Sequence, residues 1–478
     1  MDTITTHQPQ VETQASEIQR VFNLQKRNQF NIGNTTAKQR IAKLNKLHDA
    51  VNKYRPQIKE ALYRDYRKHP SEVDLTEIYP VTSELKDTKR HLRKWMREQR
   101  VKTPIAMLGS SSHIKYEPKG VVLIISPWNF PINLTLGPLV SAIAAGNAVI
   151  IKPSEMTPHA SAIMKQIIHE VFSEDEVTLL EGGVSTSTEL LKLPFNHIFF
   201  TGSPSIGKVV MKAAAEHLTS VTLELGGKSP TIVDETANVS LAARRVAWGK
   251  YVNNGQVCIA PDYLYVHESK KAEFIAAFKS NIETFYAEDA SQESSYARIV
   301  NQRHYKRVKG YIDDAISKGA NVEAGAHFHE GQNFIAPTLM TNVSKDSTLM
   351  TEEIFGPVLP VFGYTDINHV IHEINTREKP LALYIYSKKT RNIDHIISNT
   401  RAGGTCVNHN AAHFFNTNLP FGGSNNSGIG KAHGVEGFKS FSNARGVFNQ
   451  HVPNALDLLT PPYNDFKQRL IDLTIKWF

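Results

Sequence analysis

The sequence predicts an α/β protein with a Rossmann-like cofactor-binding domain followed by a second α/β domain, and two observations carry that prediction. Between residues 105 and 222, short apolar runs alternate with amphipathic helical stretches. A second alternation of the same kind runs from about residue 230 to 420. Strand–helix alternation implies right-handed crossovers and parallel sheets covered on both faces.

The elements follow in order. Residues 15–100 read as helices, with Ile41, Leu44, Leu47 and Val51 at helical spacing. "IKYEPKGVVLIISPW" then gives strands around a Pro-Lys-Gly turn, and "GNAVIIKPS" a short buried strand. The helix "SEMTPHASAIMKQIIHEVF" places Ile163, Ile167, Ile168 and Val171 on one side. "VTLLEG", "STSTELLKL", "HIFFTG" and "SIGKVVMKAAAEHL" continue as strand, helix, strand, helix. The second alternation runs from "SPTIVD" through "LYVHES" and "EFIAAFKSNIETFY" to "LALYIYS". "LPFGGSNNSGIGKAHG" reads as a long loop or clamp.

Bulk properties narrow the class. The 478 residues allow two or three domains. Two cysteines, Cys258 and Cys406, make no disulfide framework and fit a reducing, cytoplasmic setting. The N-terminal "MDTITTHQPQVETQAS" has no apolar core of a leader, and no apolar run reaches the roughly 20 residues of a membrane span. The net charge is +8, with much of the excess in "KDTKRHLRKWMREQRVK". Without zinc-finger spacing or interleaved aromatics, that run reads as a solvated helix face, and no nucleic-acid partner is expected. His409 and His413 are four apart, but Asn410 stands where a zincin needs glutamate, so no metal site is expected.

Several stretches have a chemical and a plain reading. At "HIFFTGSPSIGKVV", Gly202 ends a strand, Ser203 caps a helix and Gly207 permits close approach: a phosphate-binding turn or an ordinary βα turn. Lys152 and Glu155, just past an apolar strand, can hydrogen-bond ribose hydroxyls or sit in a solvated turn capped by Ser154. Glu224, inside "VTLELGGKSP", is a desolvated general base or an edge-strand residue facing water. Cys258 in "NNGQVCIAPDYLYV" is a nucleophile if a base lies near, or else structural. Asn129 in "SPWNFPINL" is an oxyanion donor or a turn cap. Glu353 in "TEEIFGPVLP", near Phe355, binds a polar ligand group or ends a helix.

In this order "PWNFP", "GNAVIIKPSE", "FTGSPSIG", "LELGGKSP", "GQVC", "EEIFGPVLP" and "LPFGG" resemble the NAD(P)-dependent aldehyde dehydrogenase superfamily over about residues 20–450. "CIAPDYLYV" and "LTPPY" resemble its class 3 branch, which includes oxidisers of fatty and aromatic aldehydes. The resemblance implies the aldehyde dehydrogenase fold, with a helical part of the cofactor domain at 1–100 and a β-hairpin of an oligomerisation element at 101–118. It further implies a cofactor-binding core at 119–222, a catalytic domain at 223–420, and a C-terminal return with an oligomerisation strand and an amphipathic tail at 421–478.

By the same resemblance, Cys258 attacks the aldehyde, Asn129 and the Cys258 N–H hold the oxyanion, and Glu224 activates water against the thioester. Glu224 also favours an acid product, because relatives that transfer the acyl group to coenzyme A generally lack it. Glu353 and Phe355 are implied at the nicotinamide end, Lys152 and Glu155 at the adenine ribose, and Gly202, Ser203 and Gly207 near the pyrophosphate. NAD is the expected cofactor, with NADP as the alternative, since Glu155 repels a 2′-phosphate that Lys152 attracts. The expected substrate is an apolar aliphatic or aromatic aldehyde, with Phe414 and Phe415 at its entrance; a semialdehyde is the competing substrate. A non-catalytic binding protein is a further alternative, disfavoured by Asn129, Glu224 and Cys258 together. A homodimer is expected. The tail "NDFKQRLIDLTIKWF" is too short to span a bilayer; docking on its own fold is expected, with weak membrane-surface association as the alternative.

Overall fold

The computed structural model describes residues 12–453 and 455–477. Most of the N-terminal stretch read for a leader, and Phe478 of the tail, lie outside them. The described residues form four sheets, the smallest a two-stranded pair of Phe328–His329 with Phe334–Ile335, and helices pack around the two largest. The α/β prediction holds.

The first large sheet has six strands, in the order Gly428–Ile429, Ser220–Leu225, His197–Gly202, Val121–Ile125, Ala148–Lys152 and Val177–Leu179. All neighbours pair in parallel except Gly428–Ile429, which runs antiparallel to the Glu224 strand. Val121–Ile125 and Ala148–Lys152 are buried throughout, which explains their apolar runs "VVLII" and "AVII". Helices Ala37–Lys53, Tyr79–Trp95, Asn133–Ala145 and Pro158–Val171 share one core with this sheet. A reciprocal capping box between Thr36 and Gln39 starts the first of them.

The order of strands matters for function. The chain starts at Val121–Ile125, builds outward through two strands, then returns to build His197–Gly202 on the other side. Loops leaving the carboxyl ends of those two adjacent strands therefore diverge and leave a crevice at the switch point. One of these loops carries Asn129; the other is the Gly202–Ser203 turn.

The second large sheet has seven strands, Asn321–Ala324, Thr338–Thr341, Val358–Tyr364, Tyr263–His267, Pro230–Val233, Ala382–Tyr386 and Gly404–Val407. Only its first pair is antiparallel. Cys406 packs in its last strand. A third, antiparallel sheet joins Gln99–Val101, Ser110–Pro118 and Ser442–Gln450, the last two in continuous register from Ser442↔Pro118 to Gln450↔Ser110.

Three expectations change. Glu224 is not on an edge facing water, because Gly428–Ile429 covers its strand. That same pairing means the glycine-rich 419–434 segment is not wholly loop. The tail forms a helix, Asp465–Trp477, that does not dock on its own fold: Phe466, Leu473, Ile475 and Trp477 are exposed. Among the described residues no helix is long and apolar enough to cross a membrane.

Beneath the Asn129 loop lies a fully buried ion pair. Lys68 Nζ donates to Glu77 at 2.9 Å and stands 4.2 Å above the Phe130 ring. The other Glu77 oxygen accepts the Asn133 N–H at 3.0 Å. Glu77 belongs to a one-turn π-helical segment, Asp74–Ile78, of the kind that recurs beside functional sites. Removing one partner of such a pair strands the other charge. Lys68→Met is therefore expected to cost roughly 3–5 kcal/mol of stability, and Lys68→Met/Glu77→Gln much less. Thermal and denaturant unfolding of both variants measures this; equal losses would show that the stranded charge is not the cause.

Candidate functional site

A cavity of about 760 Å³ opens at the switch point between the two large sheets. Asn129, Glu224, Cys258, Glu353 and Phe355 all line it, as do Gly202 and Ser203. These positions span more than 220 residues of sequence, so only the fold brings them together.

Cys258 follows a turn with no regular periodicity. Asn253, Asn254 and Gly255 all have positive φ, at 52°, 56° and 72°. Asparagine tolerates this left-handed region better than most residues; at Gly255 a side chain would also collide with the Gly356 carbonyl. The turn is held by amides. Asn253 Nδ2 donates to the Asn129 carbonyl at 2.8 Å, and Asn254 Nδ2 to the Ala297 carbonyl at 2.9 Å. Gln256 donates to the carbonyls of Asn253 and Arg298, both at 3.0 Å, and accepts the Val300 N–H at 3.0 Å. After the cysteine, Tyr384 OH donates to the Ile259 carbonyl at 2.5 Å.

Asn129 is tied to the same turn from the opposite side. Its Nδ2 donates to the Gln256 carbonyl at 3.0 Å, and its own carbonyl also accepts Tyr66 OH at 3.1 Å. An amide nitrogen carries two N–H groups, so one remains for a ligand in the cavity.

Glu224 is 6% exposed, and neither carboxylate oxygen has a hydrogen-bond partner. Burial holds its carboxyl well above the usual carboxylate range, opposed only by the Lys431 charge. Lys431 itself donates to the Gly422 and Gly423 carbonyls, at 2.5 and 3.0 Å. The Cys258 residue is half-buried, yet desolvation of its thiol, with the Glu353 and Glu224 charges behind it, pushes it up to about 12. The backbone N–H groups of Cys258 and Ile259 oppose that rise. The resting group is a thiol rather than a thiolate.

Glu353 lies across the Gly226–Gly227 turn. A β-carbon on Gly226 would collide with its carboxylate, and the Gly227 N–H hydrogen-bonds it. Burial first, then the Asp262 charge, raises this carboxyl to about 8. Phe355 has φ 43° and packs edge-on to Trp128 at 5.3 Å. Arg307 fixes the turn between them, donating to the carbonyls of Ile354 at 2.8 Å and Phe355 at 3.1 Å. Lys228 bonds Asp262 and the Leu349 and Glu352 carbonyls, while Asp262 accepts the Ile354 N–H at 3.0 Å.

The remaining candidates sit elsewhere. Ser203 accepts the Ile206 N–H and caps the helix Pro204–Ala215, whose first turn faces the cavity with Ser205 and Lys208. Gly207 instead packs against Leu225. Lys152 is buried, donating to the carbonyls of Pro153 and Gly182 at 2.9 and 2.8 Å and to Glu155 at 3.3 Å; neither it nor Glu155 lines this cavity. Phe414 does line it; Phe415 packs on Phe414 and Tyr79. His413 is held down to about 4 by burial, and among the described residues no cluster of ligands fit for a metal is present.

Sequence reasoning missed Trp128, His304, Arg307, Lys228, Phe421 and His433. Trp128 and Phe421 stood inside quoted motifs, where an aromatic beside Asn129 or Gly422 was a usable signal. His304 and Arg307 lie on the helix Gln302–Ser317, which carries no local mark of a site.

A dinucleotide fits these residues. A helix N-terminus, a lysine and two glycine turns meet one part of the cavity, and a carboxylate beside Trp128 and Phe355 meets another. The comparisons agree. The model of the aldehyde dehydrogenase family matches residues 4–447. The chain is 42% identical to the dimeric NADP-preferring aldehyde dehydrogenase of Rattus norvegicus, covering 90% of this chain and 94% of that one. It is 41% identical to the 4,4'-diaponeurosporen-aldehyde dehydrogenase of Staphylococcus aureus, over 88% and 91%. A solved substrate-bound Staphylococcus aureus AldH superposes with a TM-score of 0.91 at 39% identity, over 96% and 99%. This protein belongs to the aldehyde dehydrogenase family, whose members oxidise aldehydes to carboxylic acids with NAD or NADP.

Proposed function

We propose that the protein oxidises an apolar aliphatic or aromatic aldehyde to its acid through a covalent intermediate on Cys258. The observation that carries this reading is Glu224: a buried carboxyl with two unpartnered oxygens, in the same cavity as a thiol and a free amide N–H. Neither packing nor stability requires that arrangement, since an unsatisfied buried polar group costs free energy. It is what a general base for water needs.

Each residue then has a task. Cys258 Sγ adds to the aldehyde carbon, and the thiol proton leaves to a neighbouring base. The developing oxyanion takes a hydrogen bond from Asn129 Nδ2 and another from the Cys258 N–H; such a donor is worth about 2.7–4 kcal/mol of barrier. A nicotinamide, when bound, would accept the hydride that leaves the same carbon, so that the adduct on Cys258 becomes a thioester. Glu224 then takes a proton from water, which releases the acid from the thioester on Cys258. Glu353, held by Gly226–Gly227, and Phe355, held by Arg307, orient the nicotinamide end; Gly202, Ser203 and the helix after them serve the pyrophosphate. Gly207 acts behind that turn, by seating the helix on Leu225.

Finer points rest on single features. Glu155 beside Lys152 supports NAD over NADP, with the lysine already engaged by two carbonyls. Phe414, Phe421 and Leu134 around the cavity support an apolar or aromatic substrate, and a carboxylate, Glu84, in the same wall weighs against an acidic semialdehyde. The exposed edges of the three-stranded sheet, with Val101 and Phe448 at the surface, support a homodimer formed there. Phe466, Leu470, Leu473 and Trp477 form a stripe at i, i+4, i+7 and i+11, flanked by Lys467, Arg469 and Lys476. That pattern supports weak attachment of a cytoplasmic enzyme to anionic membrane surfaces.

The experiment is NADH formation from short aliphatic, long aliphatic, aromatic and acidic semialdehydes. Cys258→Ala is expected to lose at least ~10³-fold in kcat while still binding NAD; near-wild-type turnover would remove the nucleophile assignment. A second outcome concerns pH. Glu224 acts only when deprotonated and its carboxyl is raised, so hydrolysis of the acyl-enzyme speeds up as pH rises through that range. Glu224→Gln is expected to slow this phase by roughly 10²-fold and to flatten its rise with pH. An unchanged profile would contradict the role.

A further inference from the structure

One part of the cavity is built differently from the rest. Glu84, Pro80, Gly137, Ser141 and His433 come from the helices Tyr79–Trp95 and Asn133–Ala145 and from the start of Gly434–Ser440. These three helices pack on one another. They lie apart in the fold from Gln302–Ser317, which brings His304 and Arg307 to the nicotinamide end.

Glu84 is the one carboxylic acid among these five. It is 3% exposed. Its Oε1 accepts the Gly434 N–H at 2.8 Å, but its Oε2 has no hydrogen-bond partner. His433 Nδ1 stands 3.5 Å from Oε2, within ion-pair range but outside good hydrogen-bond geometry. His433 is held in place rather than loose. Its ring meets Phe414 and Phe421 edge-on, at 4.8 and 5.3 Å.

A carboxylate only accepts hydrogen bonds, so its complement is a donor. An aldehyde's own oxygen is an acceptor and belongs at the other end, with Asn129. A ligand that reaches both must therefore carry a hydroxyl remote from its aldehyde. Phe414 and Phe421, packed edge-on to each other at 5.0 Å, line the same cavity and suit a flat ring. A rigid ring also holds the distant hydroxyl without the rotor entropy that a flexible chain loses.

We propose that Glu84 and His433 form a subsite for a hydroxyl group at the far end of the substrate, and that this protein prefers aromatic aldehydes bearing such a hydroxyl. The proposal rests on the dehydrogenase reading above. A site built to bond a hydroxyl discriminates strongly against an isostere lacking it, because its polar atom is left unpaired.

The test compares NADH formation from 4-(hydroxymethyl)benzaldehyde, its near-isostere 4-ethylbenzaldehyde, and benzaldehyde. The hydroxylated compound is expected to exceed the ethyl compound about tenfold in kcat/KM, through KM rather than kcat. In Glu84→Gln the amide keeps an oxygen for the Gly434 N–H but puts –NH₂ where Oε2 stood, so the preference is expected to vanish while the melting temperature holds. Turnover of benzaldehyde with no wild-type preference would overturn the subsite alone. So would a preference that survives in folded Glu84→Gln. Absence of NADH from all three aldehydes would overturn the dehydrogenase reading instead.

Discussion

Two reciprocal amide bonds hold the site together. Asn253 Nδ2 donates to the carbonyl of Asn129, and Asn129 Nδ2 donates to the carbonyl of Gln256. The first residue belongs to the turn before Cys258; the second belongs to the loop leaving the six-stranded sheet. The cysteine and the amide that faces it are thus positioned by each other, across the boundary between the two sheets. Both bonds are buried, where a lost partner costs more than the bond itself contributes. That is why three successive left-handed residues persist here: Gln256, Asn254 and the Gly255–Gly356 contact over-determine the turn.

The charges around this frame are arranged at a cost to stability. Glu224 and Glu353 are both buried carboxyls raised above their ordinary range, and together with burial they keep Cys258 a thiol. The protein gains nothing structural from Glu224, which bonds to nothing. By contrast, Lys68 and Glu77 below the Asn129 loop are fully paired, and Glu77 spends its second oxygen on the Asn133 N–H. At the cavity wall, both oxygens of Glu224 and the Oε2 of Glu84 lack a hydrogen-bond partner.

Much of this was legible in the sequence, for a physical reason. Strands buried on both faces must be continuous apolar runs, so "GVVLIISPW" and "GNAVIIKPS" declare a parallel sheet, and the loops after such strands are where ligands bind. Asn129, Gly202, Ser203, Glu224, Cys258, Glu353 and Phe355 share motifs with a known family, and the fold gathers all seven at one cavity. What stayed hidden depends on distant contacts. No periodicity shows that Gly428–Ile429 covers Glu224, that Gly207 faces Leu225, or that Glu84 meets Gly434 some 350 residues away. The tail misled for the same reason: an amphipathic pattern records an apolar face, not what covers it.

The account's central claim is that a thioester on Cys258 is released by water that Glu224 activates. Its most direct test is mass spectrometry of Glu224→Gln protein quenched during turnover with NAD and benzaldehyde. The account predicts a benzoyl adduct that accumulates, maps to the peptide carrying Cys258 and is absent from the one carrying Cys406. No adduct in a variant that still forms NADH, or an adduct on another residue, would contradict it.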